Sequence, residues 1–189
     1  MSVRAWLAAI AAEAGLPADE AQRIDAMLAD RPAMGAMLDA ARLIGLAGEA
    51  DRVIGLALSP AGADARSRTV ALVMACFAIV RVDFPARPDA IDARTRLSAL
   101  ADAAYASLDA DAPRTLGMCI EMAGAALDHV SAVAVTLAPI VRVETGLPLP
   151  SSLLAFDLYG DAARGDELVA RNRHHAPLLM PTAFEAVAP

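Results

Sequence analysis

The chain contains no lysine: all 16 of its basic residues are arginine. Codon bias in a GC-rich genome accounts for that before any chemical demand does. It has only two cysteines, Cys76 and Cys119, which gives no disulfide framework. Each sits inside an apolar run, where cysteine packs as a small buried hydrophobe. Aromatic residues make up 4% of the chain, so few rings are on hand for the aromatic faces that glycan sites use. Charge comes in no block of one sign, and the net charge is −7. A surface that neutralises phosphates is therefore missing, which argues against direct DNA binding. Long apolar runs are missing too. The strongest, Val70–Val80, is bounded by Arg68 and Arg81 and is about half of what a membrane span requires, so a buried core helix is expected and no span. The start of the chain lacks the basic, apolar and cleavage segments of a signal peptide.

What is present is alanine and helix. Hydrophobic residues make up 57% of the 189 residues, and much of that share is alanine, which favours helix and close helix packing without supplying bulk. The expected fold class is mainly α: an up-and-down helical bundle with a small C-terminal β-α-α-β module. Short amphipathic helices fill 1–58. Ser2 caps a first helix carrying Trp6, Leu7 and Ile10, ended by Gly15-Leu16-Pro17. A second, Ala18 to Asp30, aligns Ile24, Met27 and Leu28 and is interrupted at Arg31-Pro32. A third carries Met34, Met37, Leu38, Leu43 and Ile44. The turn formers of Ser59–Asp64 mark a linker. A bundle over 65–138 follows, with helices of about 65–82, 88–108 and 113–137 bordered by Pro85, Pro88 and Pro113. On the middle one, Ile91, Leu97, Leu100, Ala104 and Leu108 form the expected buried stripe, while Asp89, Asp92, Arg94 and Arg96 take the surface.

The texture changes after Pro139. Ile140–Glu144 alternates and is β-branched, Thr145-Gly146-Leu147-Pro148 is a turn, and Phe184–Val187 is a returning strand. Between them Ser151 or Ser152 caps a helix ending at Tyr159-Gly160, and Asp161 caps another running to about Arg173. Gly160 supplies a positive φ, Asn172 takes the left-handed conformation at the second helix's end, and Leu168 and Val169 bury that helix against Leu154 and Leu158.

The punctuation Tyr159-Gly160-Asp161, Arg164, Glu167, Ala170-Arg171-Asn172 and Pro177 resembles the C-terminal part of the Mu-like phage DNA circularisation proteins, and more loosely the LysM module. The resemblance is specific over Pro150–Pro177 and looser over Ser67–Val143. It is absent before Ser59. Two departures stand out: Pro181 is followed by Thr182-Ala183 where members have Pro-Gly, and the separate β-rich domain with which the generally longer members begin is lacking.

The resemblance implies a structural protein of a contractile tail or baseplate hub, residing in the virion tail or in the bacterial cytoplasm during assembly. Its partners would be other tail or baseplate proteins. A LysM-like module over 139–189 adds peptidoglycan binding as an alternative, and the family name adds DNA-end binding in genome circularisation. The interaction or glycan-binding candidates are Tyr159, Asp161, Arg164, Arg171 and Asn172. The rings near this module are only Phe156, Tyr159 and Phe184, which favours an adaptor over a glycan receptor.

An enzyme is not expected. There is no nucleophile elbow or phosphate loop. Adjacent His174-His175 point in different directions in most backbones, and no ligand cluster lies at metal spacing beside them. Glu121 and Asp128 share one face of a helix with His129 beside them, the pattern of a solvated face. No cofactor is implied. The many apolar helix residues, among them eight methionines, are equally compatible with a monomeric core and with a homo-oligomer.

Overall fold

The computed structural model describes residues 3–29, 33–58, 64–108 and 113–189. The Ser2 cap, the Arg31-Pro32 interruption and all of the Ser59–Asp64 linker except Asp64 lie outside them. Among the described residues the protein is mostly helical, with one two-stranded antiparallel sheet near the C-terminus. The helices are α1 (Val3–Glu13), α2 (Ala18–Met27), α3 (Met34–Ala47), α4 (Ala50–Ala57), α5 (Ala65–Ile79), α6 (Arg87–Ser107), α7 (Pro113–Thr136), α8 (Ser151–Tyr159) and α9 (Gly165–Arg171). The strands are β1 (Ile140–Glu144) and β2 (Ala183–Val187). Two compact units result: 1–83 with 90–133, and 84–89 with 134–189.

In the first unit, α1 ends because Gly15 turns the chain at φ +67°. Leu7, Ile10, Ile24 and Leu28 are buried, as their spacing requires. The fourth helix was not expected as a separate element. It exists because α3 stops at Gly48, where a Cβ would stand 2.8 Å from the Ile44 carbonyl oxygen and 2.6 Å from Val53 Cγ2. Helix α5 begins at Asp64, whose Oδ1 accepts a 2.7 Å hydrogen bond from the Ser67 amide. Its Val70–Cys76 stretch is buried throughout, the core helix expected of that run. It packs on α3 at Gly45, where a Cβ would lie 2.7 Å from the Met74 carbonyl oxygen and 2.7 Å from Phe77 Cβ. Beyond its end, Arg81 donates to the carbonyls of Gly45 and Gly48 at 2.8 and 3.0 Å, closing the C-terminus of α3.

Helices α6 and α7 run antiparallel: Arg94 Nε donates to Ser131 Oγ, and Tyr105 Oη to the Cys119 carbonyl, so numbers rise on one helix as they fall on the other. The stripe on α6 needs correction. Ile91 is 50% exposed, and the buried line is Ala90, Ala93, Leu97, Ala101 and Ala104. Alanines occupy the inner face of α6, which leaves Ile91 on the outer one. On α7, Glu121, Asp128 and His129 are exposed together. Among the described residues, α7 is the helix long and apolar enough to cross a membrane by length and composition.

The second unit is built on β1 and β2, paired antiparallel with Val143 opposite Phe184 and Arg142 opposite Glu185. Helices α8 and α9 cover the sheet, giving the order β-α-α-β. Leu154, Ala155, Leu168, Met180, Phe184 and Ala186 are its core, with Leu158 and Val169 packed against them as expected. Arg87 donates from its Nε to the carbonyls of Ala134 and Leu137, satisfying the last turn of α7.

Candidate functional site

All five candidate residues fall in the second unit, on or beside α9, and each of them is engaged in bonds within it. Helix α8 ends at Gly160, which is left-handed at φ 71° as expected. Its start differs from expectation. The N-cap is Pro150, no side chain caps the helix, and Ser151 is buried, with its amide donating to the Pro177 carbonyl at 2.7 Å. Ser151 is drawn inward because α9 starts against it: a Cβ at Gly165 would lie 2.9 Å from Ser152 N and 3.1 Å from Ser151 Oγ.

Asp161 Oδ1 accepts a 2.9 Å hydrogen bond from the Ala163 amide, capping the 3-10 turn Ala162–Arg164 that leads into α9. Tyr159 is half-buried. Its hydroxyl donates to the Val187 carbonyl at 3.1 Å, and the Arg164 guanidinium lies 3.7 Å over its ring. Burial first, then the nearby Glu167 carboxylate, raises its phenol above the ordinary tyrosine range. Arg164 also holds Glu167 at 2.9 Å. Both the polar tip and one face of Tyr159 are thus occupied, whereas the Phe156 residue is 57% exposed.

The end of α9 corrects the expectation for Asn172. Its φ is −86°, and the left-handed residue is Arg173, at φ 49°. The His174 amide reaches back to the Val169 carbonyl and the Arg173 amide to that of Ala170, which together make a Schellman closure. Glycine is the usual occupant of that left-handed position, and an L-residue there costs roughly 1 kcal/mol. Asn172 is diverted because its amide serves as a piece of backbone. Nδ2 donates to the carbonyls of Leu168 and Glu185, and Oδ1 accepts from the Glu185 amide, all at 2.8 Å. The side chain pairs with β2 much as a neighbouring strand would.

Arg171 is turned inward: its Nη2 lies 2.9 Å from Asp89 Oδ2, and only 13% of its side chain is exposed. Asp89, expected on a solvated surface, is therefore half of a partly buried ion pair. The Arg171 Nε is buried and has no hydrogen-bond partner among the described residues. The three arginines do not form one patch, since Arg164 and Arg171 are committed to carboxylates while Arg173 is exposed and free of ion pairs among the described residues.

Two surface features remain. A pocket of about 320 Å³ is lined by Arg142, Arg171, Asn172, Arg173 and β2 from Ala183 to Glu185. An apolar surface lies on the loops flanking the strands, where Leu147, Leu178 and Leu179 are 60, 76 and 63% exposed. Those loops are tied by the amides of Thr145, Ser151 and Met180, which donate to the carbonyls of Thr182, Pro177 and Leu149 at 2.7, 2.7 and 3.0 Å. The His174 ring Nε2, 3.0 Å from the Leu179 carbonyl, braces the same loop. Among the described residues no three His, Cys, Asp or Glu side chains group as a metal site.

In the first unit, burial pushes the Cys76 thiol up to about 12, with the neighbouring Cys119 adding to the rise, and burial raises Cys119 as well. Neither thiol is set up as a nucleophile. Compared with known protein families and with curated proteins, the chain matches none.

Proposed function

We propose that this protein is a structural component of a Mu-like phage tail or baseplate, working through protein-protein assembly, with its second unit as a LysM-like adaptor and its longer helices as an up-and-down bundle. The observation that carries the assembly reading is the exposure of Leu147, Leu178 and Leu179 on two loops tied by backbone hydrogen bonds. Exposed leucines on loops held in a fixed frame suit burial against another protein. The β-α-α-β order and the Tyr159-Gly160-Asp161 and Ala170-Arg171-Asn172 punctuation support the module assignment.

Wall-glycan binding has less support, because Tyr159 is occupied on its hydroxyl and one face. Genome-end binding has less still, given the net charge of −7 and the pairing of Arg164 and Arg171 with carboxylates.

The test is to induce the source bacterium, purify phage or tail-like particles on a gradient, and quantify this chain by mass spectrometry. Stoichiometric recovery with sheath and tube proteins is expected, together with its loss from particles when Leu178 and Leu179 are both changed to glutamate. Absence from intact particles, with the chain retained on purified sacculi or left soluble, would overturn the assembly reading.

A further inference from the structure

The pocket beside β2 holds a feature that the packing of the unit does not require. Position 173 is left-handed, where glycine is the favoured residue, yet the chain places an arginine there. Its guanidinium makes no ion pair or hydrogen bond among the described residues, and it lines the pocket. Glu185, in the same wall, is bonded through its backbone to Asn172, while its carboxylate is likewise without a partner among the described residues. The remaining charges are spoken for: Arg171 pairs with Asp89, and Arg142 lies 3.3 Å from Glu144 in an exposed pair. The buried Arg171 Nε adds a donor without an acceptor among the described residues.

Two residues of opposite charge, each without a side-chain partner among the described residues, thus line one pocket of about 320 Å³, a volume at the lower end of small-ligand sites. We propose that this pocket binds an α-carboxylate whose α-carbon also bears a nitrogen donor: Arg173 takes the carboxylate and Glu185 accepts from the N–H. A guanidinium presents two parallel donors that match a carboxylate. A phosphate dianion suits the pocket less well, since Glu185 would repel it and the whole chain is acidic. The chemistry has two sources, a free amino acid and the C-terminal end of a peptide. The proposal does not rest on the tail-assembly reading.

The test uses the intact protein labelled with nitrogen-15. Arginine Nε–H resonances are followed during separate titrations with glycine, N-acetylglycine and inorganic phosphate at constant ionic strength. The substitution Arg173→Gly removes the guanidinium while supplying the residue the left-handed position favours, so the helix end and the β1–β2 amide resonances should persist. Saturable shifts of the Arg173 and Arg171 signals by one or both carboxylates are expected, with affinity reduced at least about tenfold in Arg173→Gly. Saturation by glycine alone identifies a free amino acid, and saturation by N-acetylglycine identifies a peptide end. Three results would overturn the proposal: no saturable shift with either carboxylate, equal affinity in Arg173→Gly, or phosphate binding as tightly as the carboxylates.

Discussion

Replacing Asn172 with alanine removes three hydrogen bonds of 2.8 Å, two of them to the backbone of Glu185 on β2. Each intramolecular hydrogen bond contributes about 1 kcal/mol net, because folding exchanges it against water. Asn172 is half-buried and Glu185 lies at an exposed edge, so water replaces part of what is lost. The expected cost is about 2 kcal/mol, concentrated in the second unit. Native-state hydrogen exchange reads it locally: the Glu185 amide should exchange roughly 30-fold faster if local opening sets its protection. Asn172→Asp separates the roles of the two amide atoms. Its carboxylate still accepts from the Glu185 amide but has no donor for the carbonyls of Leu168 and Glu185, so it should be at least as destabilising as alanine. Unchanged Glu185 exchange in Asn172→Ala, or full protection in Asn172→Asp, would refute the view of this side chain as a strand surrogate. Such a result would return Asn172 to the surface as a direct ligand-binding residue.

Three further outcomes are expected. Gly45→Leu should destabilise the first unit by about 1–3 kcal/mol or more, because even a Cβ meets the Met74 carbonyl oxygen at 2.7 Å; chemical denaturation of the variant measures it. Cys76 and Cys119 should resist a thiol reagent at pH 8 in the native protein and react together on unfolding, since burial keeps both thiols protonated; prompt native-state labelling would contradict their placement. Asp64→Ala should cost about 1 kcal/mol through loss of the α5 cap. The hydrogen bond from the Ser67 amide lowers the Asp64 carboxyl below the ordinary carboxylate value of 3.8, so its contribution is complete above that value and lost as pH falls through the lowered one; the gap between wild type and variant in acid titrations should close there.

Much of the chain's local order was written in residues close together in sequence. The strand Ile140–Glu144 followed from alternation, the buried stretch of α5 from its unbroken apolar run, the extents of α6 and α7 from prolines and turn formers at their borders, and the turn at Gly160 from glycine's access to positive φ. Each depends on the preferences of a residue and its immediate neighbours.

What the tertiary structure decided involves residues brought together from far apart. Gly48 separates α3 from α4 through its crowding against Val53, and Ile91 faces outward because alanines of α6 take its buried side. Asp89 and Arg171, 82 positions apart, meet as an ion pair that nothing local to either residue signals. Asn172 shows the competition most clearly. By intrinsic preference it should have taken the left-handed position, but three hydrogen bonds to Leu168 and β2 hold it at negative φ. The strain passes to Arg173, because a local conformational preference of roughly 1 kcal/mol yields to a set of longer-range hydrogen bonds worth more.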